Sequence, residues 1–204
     1  MQSTLKTLCL GLVATGSLLA ASVTMAADGA SLYTSKQCDT CHGADANTPV
    51  ADTFSPKLAG QNEVYLTQQI KDIRDGKRTN GKTADMKKKM DEISVSDKEA
   101  MALAKWIASQ TAKSESATAN GASVYTGKMC NTCHGADANS PITGSYPKLA
   151  GQDAVYLAQQ IKDIRDGKRT NGMSASMKAM MGAFKVSDDE ATTLGKWAAS
   201  QAQK

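Results

Sequence analysis

The residues best suited to chemistry lie in one pentapeptide that occurs twice. Cys-x-x-Cys-His stands at residues 38–42 and again at residues 130–134. This spacing is the attachment signature of c-type haem, because two thiols within one helical turn can each bond a vinyl group of the porphyrin. The histidine that follows directly offers its imidazole to the iron. We therefore predict covalent attachment and one axial ligand in each copy, at these residues: Cys38, Cys41, His42, Cys130, Cys133 and His134.

Two other uses of paired cysteines fit the sequence less well. A redox-active Cys-x-x-Cys disulfide belongs with a βαβ pattern, and no long stretch here alternates with the period of a strand. Zinc sites hold their ligand pairs within one domain, whereas Cys130 follows Cys38 by 92 residues, in a second copy of the sequence. We therefore predict two covalently bound haem c groups, with iron as the metal.

The second axial ligand of each iron has to come from a residue other than histidine. The chain has 2 histidines, and both belong to the pentapeptides, so none remains for a second ligand or a general base. Methionine, lysine or an open site remain, and methionine sulfur raises the potential of haem iron. Met86 and Met177 are the favoured ligands, because they follow a shared Arg-Thr-Asn segment at the same distance. Met90 and Met181 also match in position and are the alternatives, since one methionine of each pair is expected to fill an apolar gap.

The elements that position these residues are duplicated as well. Residues 68–81 recur without change at residues 159–172. Between the copies, residues 113–119 are small or polar, as expected of a linker. We predict two tandem globular domains, at residues 28–112 and 120–204.

Apolar periodicity predicts helices in both domains. Apolar residues at helical intervals mark an amphipathic helix before Gly76 and another before Gly167. Ser-x-x-Glu capping boxes at Ser96 and Ser187 each open a final helix. We therefore predict an all-α fold. The residues that fit the apolar face of the two amphipathic helices are Val64, Leu66, Ile70 and Ile73, and Val155, Leu157, Ile161 and Ile164.

Two prolines are candidates for orienting the histidines. A metal-bound histidine usually donates its other N–H to a carbonyl, which fixes the ring. Pro56 and Pro147 follow their histidines by 14 and 13 residues, and a proline holds its own carbonyl in an extended segment. We predict that these carbonyls accept the hydrogen bonds; the alternative is that the prolines only stiffen a turn.

The first 26 residues have the pattern of a secretory signal peptide. Lys6 precedes a mostly apolar stretch, Leu8 to Leu19, and small residues suit cleavage after Ala26. The stretch is short for a membrane span, and an uncleaved anchor is the alternative. Cleavage would also remove Cys9. We predict an exported, soluble, periplasmic protein, and a net charge of +4 is too small to indicate a nucleic-acid partner.

Several of these segments together resemble the dihaem cytochrome c4 family. They are the doubled Cys-x-x-Cys-His-Gly, the Pro-Lys-Leu-Ala-Gly-Gln segments at residues 56–61 and 147–152, and the Arg-Thr-Asn loops. The resemblance implies two tandem class I cytochrome c domains that face each other, each wrapped around one haem with His–Met iron. In the family pattern the ligand methionine stands closer to the capping serine than Met86 stands to Ser96, so Met90 stays an alternative.

The resemblance also implies a role and partners. It implies a one-electron carrier in a respiratory chain, without catalytic residues, between a membrane-bound donor complex and a terminal oxidase or other acceptor. The alternative is the dihaem electron-accepting subunit of a sulfide-oxidising flavocytochrome complex. Lys82, Lys87, Lys88 and Lys89 surround Met86 and could form a positive rim for docking; the alternative is that they are a solvated helix face.

Class I cytochrome domains cross their first and last helices through a small residue and an aromatic one. The matching residues of this sequence are Gly29, Tyr33 and Trp106 in the first domain, and Gly121, Tyr125 and Trp197 in the second. Ordinary core packing would use the same residues, and the two interpretations are compatible.

Overall fold

The computed structural model describes residues 29–50, 55–112 and 120–203. The predicted signal peptide and linker, residues 1–26 and 113–119, lie outside the described residues. Helix is the only regular secondary structure in the part of the chain that is described, which confirms the predicted all-α fold. Among these residues, no helix has the length and apolar character that a membrane crossing requires.

Within the described residues, each domain has five helices in the same order. The first domain contains α1 (residues 29–35), α2 (Asp39–His42), α3 (Glu63–Arg74), α4 (Thr83–Ile93) and α5 (Asp97–Ala108). The second contains α6 (Gly121–Gly127), α7 (Asn131–His134), α8 (Ala154–Arg165), α9 (Ser174–Ala183) and α10 (Asp188–Ser200). In both domains the last helix packs against the third, and the fourth helix also contacts the third.

One face of α3 forms much of the first core. Leu66, Ile70 and Ile73 are buried, as predicted. The prediction that Val64 and Val155 share the core-facing side of α3 and α8 is wrong, because these side chains are 57% and 62% exposed. Val64 stands two positions before Leu66, and residues two apart in a helix point to nearly opposite sides.

Both capping boxes form as predicted. The Ser96 hydroxyl accepts from the backbone N–H of Glu99, and the Glu99 carboxylate accepts from the N–H of Ser96 at 2.8 Å. Lys36 adds an ion pair to Glu99 at 3.0 Å. Hydrogen bonds from the backbone and hydroxyl of Ser96, followed by Lys36, lower the pKa of Glu99 to about 2. Ser187 and Glu190 repeat the box at the start of α10.

Glu99→Gln should remove part of the acid sensitivity of the fold. The carboxyl has its ordinary pKa of about 4.5 when unfolded and about 2 when folded. Its stabilising effect is therefore complete above the unfolded pKa and is lost as the pH falls toward the folded pKa. We expect the variant to be about 0.5–1 kcal/mol less stable at neutral pH, the usual worth of a helix cap. Denaturant unfolding should show the difference shrinking near pH 2, and a difference that stays constant with pH would contradict this account.

The first and last helices of each domain cross at a glycine, as expected. A Cβ placed at Gly29 would stand 2.5 Å from the Cβ of Trp106, and one at Gly121 would overlap the Cβ of Trp197. The Tyr125 ring lies against Trp197 with the ring centroids 4.3 Å apart, and the first domain has the same contact at 4.6 Å. The absence of a side chain at these positions lets the helices approach closely enough for the rings to pack.

Gly121→Ala should destabilise the second domain, because the added methyl group has to displace Trp197 or separate α6 from α10. We expect a loss of about 1–3 kcal/mol in the free energy of unfolding, the usual cost of overpacking. Gly127→Ala is the matched control in the same helix, since nothing lies within 4 Å of a Cβ placed there. Thermal unfolding followed by far-UV circular dichroism would compare the two, and equal effects would argue against a close crossing.

Candidate metal centres

A mostly apolar cavity of about 540 Å³ is lined by residues of both domains. His42 and Met86 line it in the first domain, and His134 and Met177 line it in the second. Within each domain the histidine and the methionine come from different helices, α2 and α4 or α7 and α9. Tertiary folding therefore brings the favoured axial residues of each domain to the same cavity.

Each of these histidines is buried and held by a backbone carbonyl. Nδ1 of His42 lies 3.0 Å from the carbonyl oxygen of Pro56, and Nδ1 of His134 lies 3.0 Å from that of Pro147. Because a carbonyl can only accept, Nδ1 carries the proton and donates it, which leaves the Nε2 lone pair for a metal. Burial lowers the pKa of both imidazoles, so each stays in the neutral form that binds iron. The predicted hydrogen bonds to the proline carbonyls are confirmed.

Two tyrosines also hold the chain next to the histidines, a role that the sequence analysis missed. The hydroxyl of Tyr33 donates to the carbonyl of Gly43 at 2.8 Å, and Tyr125 donates to Gly135 at 2.8 Å. Each glycine directly follows a histidine and has a left-handed backbone, with φ of +77° and +81°. The repeated glycine after each Cys-x-x-Cys-His was the available signal for this anchored turn.

Among residues 29–50, 55–112 and 120–203, the four cysteines next to the histidines form no disulfide. Burial raises the pKa of Cys38 and of Cys130 to about 11, so both thiols are protonated at neutral pH. Cys130 and Cys133 line the cavity. Each pair of thiols could therefore supply the two thioether links of a covalently attached porphyrin.

The structure separates the two candidate methionines of the first domain. Met86 is half-buried and lines the cavity, whereas Met90 is 6% exposed and lines a different pocket. In the second domain both Met177 and Met181 line the cavity, but Met181 is 7% exposed and packs into the core. Met86 and Met177 are thus the pair that meets the cavity in both domains, and Met90 has the gap-filling role common for methionine.

A model of the cytochrome c family matches residues 26–111 and again residues 118–200. The chain is 39% identical to cytochrome c4 of Pseudomonas aeruginosa over 145 residues. This match covers 66% of this chain and 69% of that protein. The chain belongs to the dihaem cytochrome c4 family. The crystal structure of reduced recombinant cytochrome c4 from Pseudomonas stutzeri aligns with a TM-score of 0.70 and 30% identity, over 86% of this chain and 98% of that one. A thiosulfate dehydrogenase electron acceptor from Stutzerimonas stutzeri is 32% identical over 214 residues, 95% of each chain.

As a dihaem cytochrome c of the c4 family, the chain carries two covalently bound haem c groups and transfers electrons. The residues of each domain fit such a group. A mostly apolar cavity is available, a buried imidazole with a free Nε2 lines it, a thiol pair immediately precedes that imidazole, and a thioether sulfur belongs to the same lining.

The two c4-type domains brace each other's histidine supports. The Gln152 side chain accepts from the N–H of Lys57 at 2.8 Å and donates to the Lys57 carbonyl at 2.5 Å. Gln61 makes the same pair of bonds to Lys148, at 2.8 and 2.7 Å. Lys57 and Lys148 directly follow the two prolines whose carbonyls hold the histidines. Each domain therefore positions the segment that orients the other domain's imidazole, a contact whose only sequence signal was the repeated Pro-Lys-Leu-Ala-Gly-Gln.

A buried polar network lies between the domains beside these glutamines. Arg78 donates across the interface to the Tyr156 hydroxyl at 2.9 Å and to the side-chain oxygen of Gln160 at 2.9 Å. Arg78 is 6% exposed, so these bonds are shielded from water. The matching residue of the second domain makes the matching bonds, from Arg169 to Tyr65 at 3.1 Å and to Gln69 at 3.0 Å.

Two asparagines join this network to buried carboxylates. Asn80 donates to Asp163 at 2.6 Å, and Asn171 donates to Asp72 at 2.7 Å. Both aspartates are 2% exposed. The guanidinium and carboxylate groups are equal in number, and each forms hydrogen bonds both within its own domain and to the opposite domain. Their burial therefore depends on the domains remaining docked.

The predicted positive rim around Met86 is largely neutralised, which corrects that expectation. Residues 82–92 hold four lysines and three carboxylates. The ion pairs are Lys82 with Asp85 at 3.7 Å, Lys87 with Asp91 at 2.8 Å, and Lys89 with Glu92 at 3.6 Å. Since three of the four lysines pair with carboxylates of their own segment, the net charge there is small and the long-range attraction of an acidic partner is weak.

Proposed function

We propose that this chain is a periplasmic one-electron carrier of a respiratory chain, between a membrane-bound donor complex and a terminal oxidase. One arrangement, present in both domains, carries the proposal: a buried histidine with a free Nε2 and a methionine sulfur line one apolar cavity. When bound, haem c supplies one-electron exchange between the ferric and ferrous states of its iron.

We assign each proposed site residue a role that suits this exchange. The thiols would tether the cofactor, the imidazoles would bind iron through Nε2, and the thioether sulfurs would serve as the other ligands and favour a high potential. The hydrogen bonds from the imidazoles to the proline carbonyls hold the rings in a fixed orientation for an iron bound at Nε2. The proposed residues are Cys38, Cys41, His42 and Met86, and Cys130, Cys133, His134 and Met177.

These assignments favour a carrier over an enzyme. If both axial positions of each iron are taken by protein side chains, no position is open for a substrate. The chain has no histidine beyond the two in the pentapeptides, so a histidine acid or base for bond cleavage is missing as well.

One relative supports a second candidate function, in which the chain accepts electrons from an enzyme. The chain is similar over nearly its full length to a thiosulfate dehydrogenase electron acceptor, so its electron donor could be an enzyme that oxidises a sulfur compound. The related hypothesis of an accepting subunit in a sulfide-oxidising flavocytochrome stays a prediction. Co-purification with a flavoprotein would support that hypothesis.

The test is expression of the full chain in a host that exports and matures c-type cytochromes. We expect the periplasmic product to begin after Ala26 and to be heavier than its bare polypeptide by two haem groups. A redox titration should then show two one-electron steps. The double variant Cys38→Ala, Cys41→Ala is the control and should be lighter by one haem. A product with the mass of the bare polypeptide would overturn the proposal.

A second experiment separates the respiratory carrier from the acceptor of a sulfur-oxidising enzyme. It compares the rate at which a terminal oxidase reoxidises the reduced protein with the rate at which thiosulfate dehydrogenase reduces the oxidised protein.

A further inference from the structure

The peptide group that holds each histidine is hydrogen-bonded on both sides. In the second domain the carbonyl of Pro147 accepts from Nδ1 of His134, with the two atoms 3.0 Å apart. The N–H of the same peptide group belongs to Lys148 and donates to Oε1 of Gln61 at 2.8 Å. One peptide group therefore connects the imidazole of the second domain to a side chain of the first.

The same chain of bonds runs in the opposite direction to the histidine of the first domain. Nδ1 of His42 lies 3.0 Å from the carbonyl oxygen of Pro56. The N–H of Lys57, in that peptide group, donates to Oε1 of Gln152 at 2.8 Å. Each copy of Pro-Lys-Leu-Ala-Gly-Gln thus holds the histidine of its own domain with its first residue and contacts the other domain with its last.

Each glutamine presents its oxygen in a fixed orientation. Oε1 of Gln61 also accepts from the N–H of Asn62 at 2.9 Å, and Nε2 donates to the carbonyl of Lys148 at 2.7 Å. A flipped amide would set its NH₂ group against two N–H donors, so the partners establish which atom is oxygen. Gln61 and Gln152 are both 5% exposed, which shields these bonds from bulk water.

The bond to glutamine affects how strongly the histidine can bind a metal. Because hydrogen bonds in a chain polarise one another, an N–H that donates makes the carbonyl of its peptide group a stronger acceptor. A stronger acceptor draws the Nδ1 proton away from the imidazole and raises the basicity of Nε2. A more basic Nε2 stabilises ferric iron more than ferrous iron, which lowers the reduction potential. The oxygen of each glutamine is therefore placed to lower the potential of the opposite centre.

We propose that Gln61 and Gln152 are crossed positioning residues: Gln61 tunes the reduction potential of the centre at His134, and Gln152 tunes that of the centre at His42. The proposal rests on the function proposed above, electron carriage by two iron centres. It makes both potentials depend on the contact between the domains, because each glutamine reaches the opposite centre only in the docked state. Opening of the interface would raise both potentials.

The alternative is that the two glutamines only hold the domains together. In that case the loss of either glutamine would loosen the shared interface and disturb both centres alike. Under the crossed role, each variant changes one centre, and the changed centre lies in the domain that does not carry the substitution. The two roles therefore predict different patterns.

The chain offers a selective probe, because it has 2 histidines and both are the proposed ligands. Untagged dihaem protein with isotope-labelled histidine should give one Nδ1–H NMR signal from each domain in the reduced state. The proton shift of each signal reports the strength of the hydrogen bond to the proline carbonyl. Following both signals through a redox titration gives the potential of each centre.

Gln61→Met removes the acceptor oxygen and keeps a side chain of similar length. We expect the Nδ1 proton of His134 to move upfield and that of His42 to stay in place. The equilibrium constant for reduction of the second centre should rise about threefold, equivalent to about 30 mV for one electron. Gln152→Met should give the mirror result in the first domain, and it carries the same test if Gln61→Met does not fold.

Gln110→Met is the matched control, because Gln110 is a half-buried glutamine whose Nε2 donates to Trp106 and Ser109 of its own domain. It should change neither signal and neither potential. Gln61→Glu keeps an oxygen that can accept from Lys148 whether or not the carboxyl group is ionised. The potential of the second centre should therefore stay at or below its wild-type value in that variant.

A change in the substituted domain alone, equal changes in both domains, or an equal effect of Gln110→Met would overturn the crossed role. So would a rise in the second potential with Gln61→Glu as large as that with Gln61→Met. Absence of any redox step in the wild-type dihaem protein would refute electron carriage itself. Two redox steps that show no crossed shift would refute only the tuning by glutamine.

Discussion

Met177→Leu should lower the reduction potential of the second domain by on the order of 100 mV, and Met86→Leu should do the same in the first. Axial ligand identity sets haem potentials over a span of roughly 0.8 V, and thioether sulfur favours the reduced iron. Leucine nearly conserves the volume of methionine but has no sulfur, so the change isolates ligation from packing. Each variant should also lose about half of the sulfur-to-iron charge-transfer absorption of the oxidised protein.

Met90→Leu and Met181→Leu are the matched controls for this prediction. Both methionines are buried, at 6% and 7% exposure, and a volume-conserving change there should cost less than about 1.5 kcal/mol. We expect both potentials to stay at their wild-type values. A spectroelectrochemical titration of all four variants measures potentials and ligation together. A fall in potential with Met90→Leu but not with Met86→Leu would transfer the ligand role to Met90.

Arg78→Met should destabilise the docked pair of domains by about 3–5 kcal/mol, the usual result of removing one partner from a buried charged network. The change leaves the half-buried Tyr156 without the Arg78 donor and removes one of the donors to Gln160. It also removes a positive charge from an interface that holds two buried aspartates. Denaturant unfolding of the dihaem protein, followed by haem absorbance and by circular dichroism, should show the loss and a separation into two transitions.

Arg74→Met is the control for this effect of burial. Arg74 lies four residues earlier and pairs with the surface carboxylates Asp75 and Asp97 at 2.7 Å each. Ion pairs of this exposed kind contribute about 0–1 kcal/mol, so we expect a small change. Equal losses from Arg74→Met and Arg78→Met would show that the interface network does not stabilise the docked state.

The matching variant Arg169→Met tests the symmetry of the network. It should cost about as much as Arg78→Met, because each guanidinium also donates to the glutamine that the other contacts. For the same reason the double variant should cost less than the sum of the two single variants, as residues of one network are not additive. Additive losses would indicate that the two arginines act independently.

Much of the chemistry could be predicted because it depends on local spacing. Two thiols and an imidazole within five residues can serve one cofactor regardless of the rest of the fold, and the duplication of that segment implied two cofactors. The capping boxes and the helix ends were predictable for the same reason, since hydrogen bonds at a helix end involve residues three or four positions apart. Val64 was misassigned because it is apolar and stands at the start of the helix, close to the expected spacing of core residues. Its position around the helix axis, two residues before Leu66, places it away from the buried face.

The sequence by itself thus determined the cofactor class, the two-domain duplication and the helical fold, all of which arise from residues close together in the chain. The placement of Met86 at the cavity and of Met90 in the core needed the tertiary structure, because the two residues lie one turn apart on the same helix. The bracing of each histidine support by Gln61 and Gln152 joins residues 87 and 95 positions apart. Such contacts have no periodic signal, since they arise only when two complete domains dock face to face.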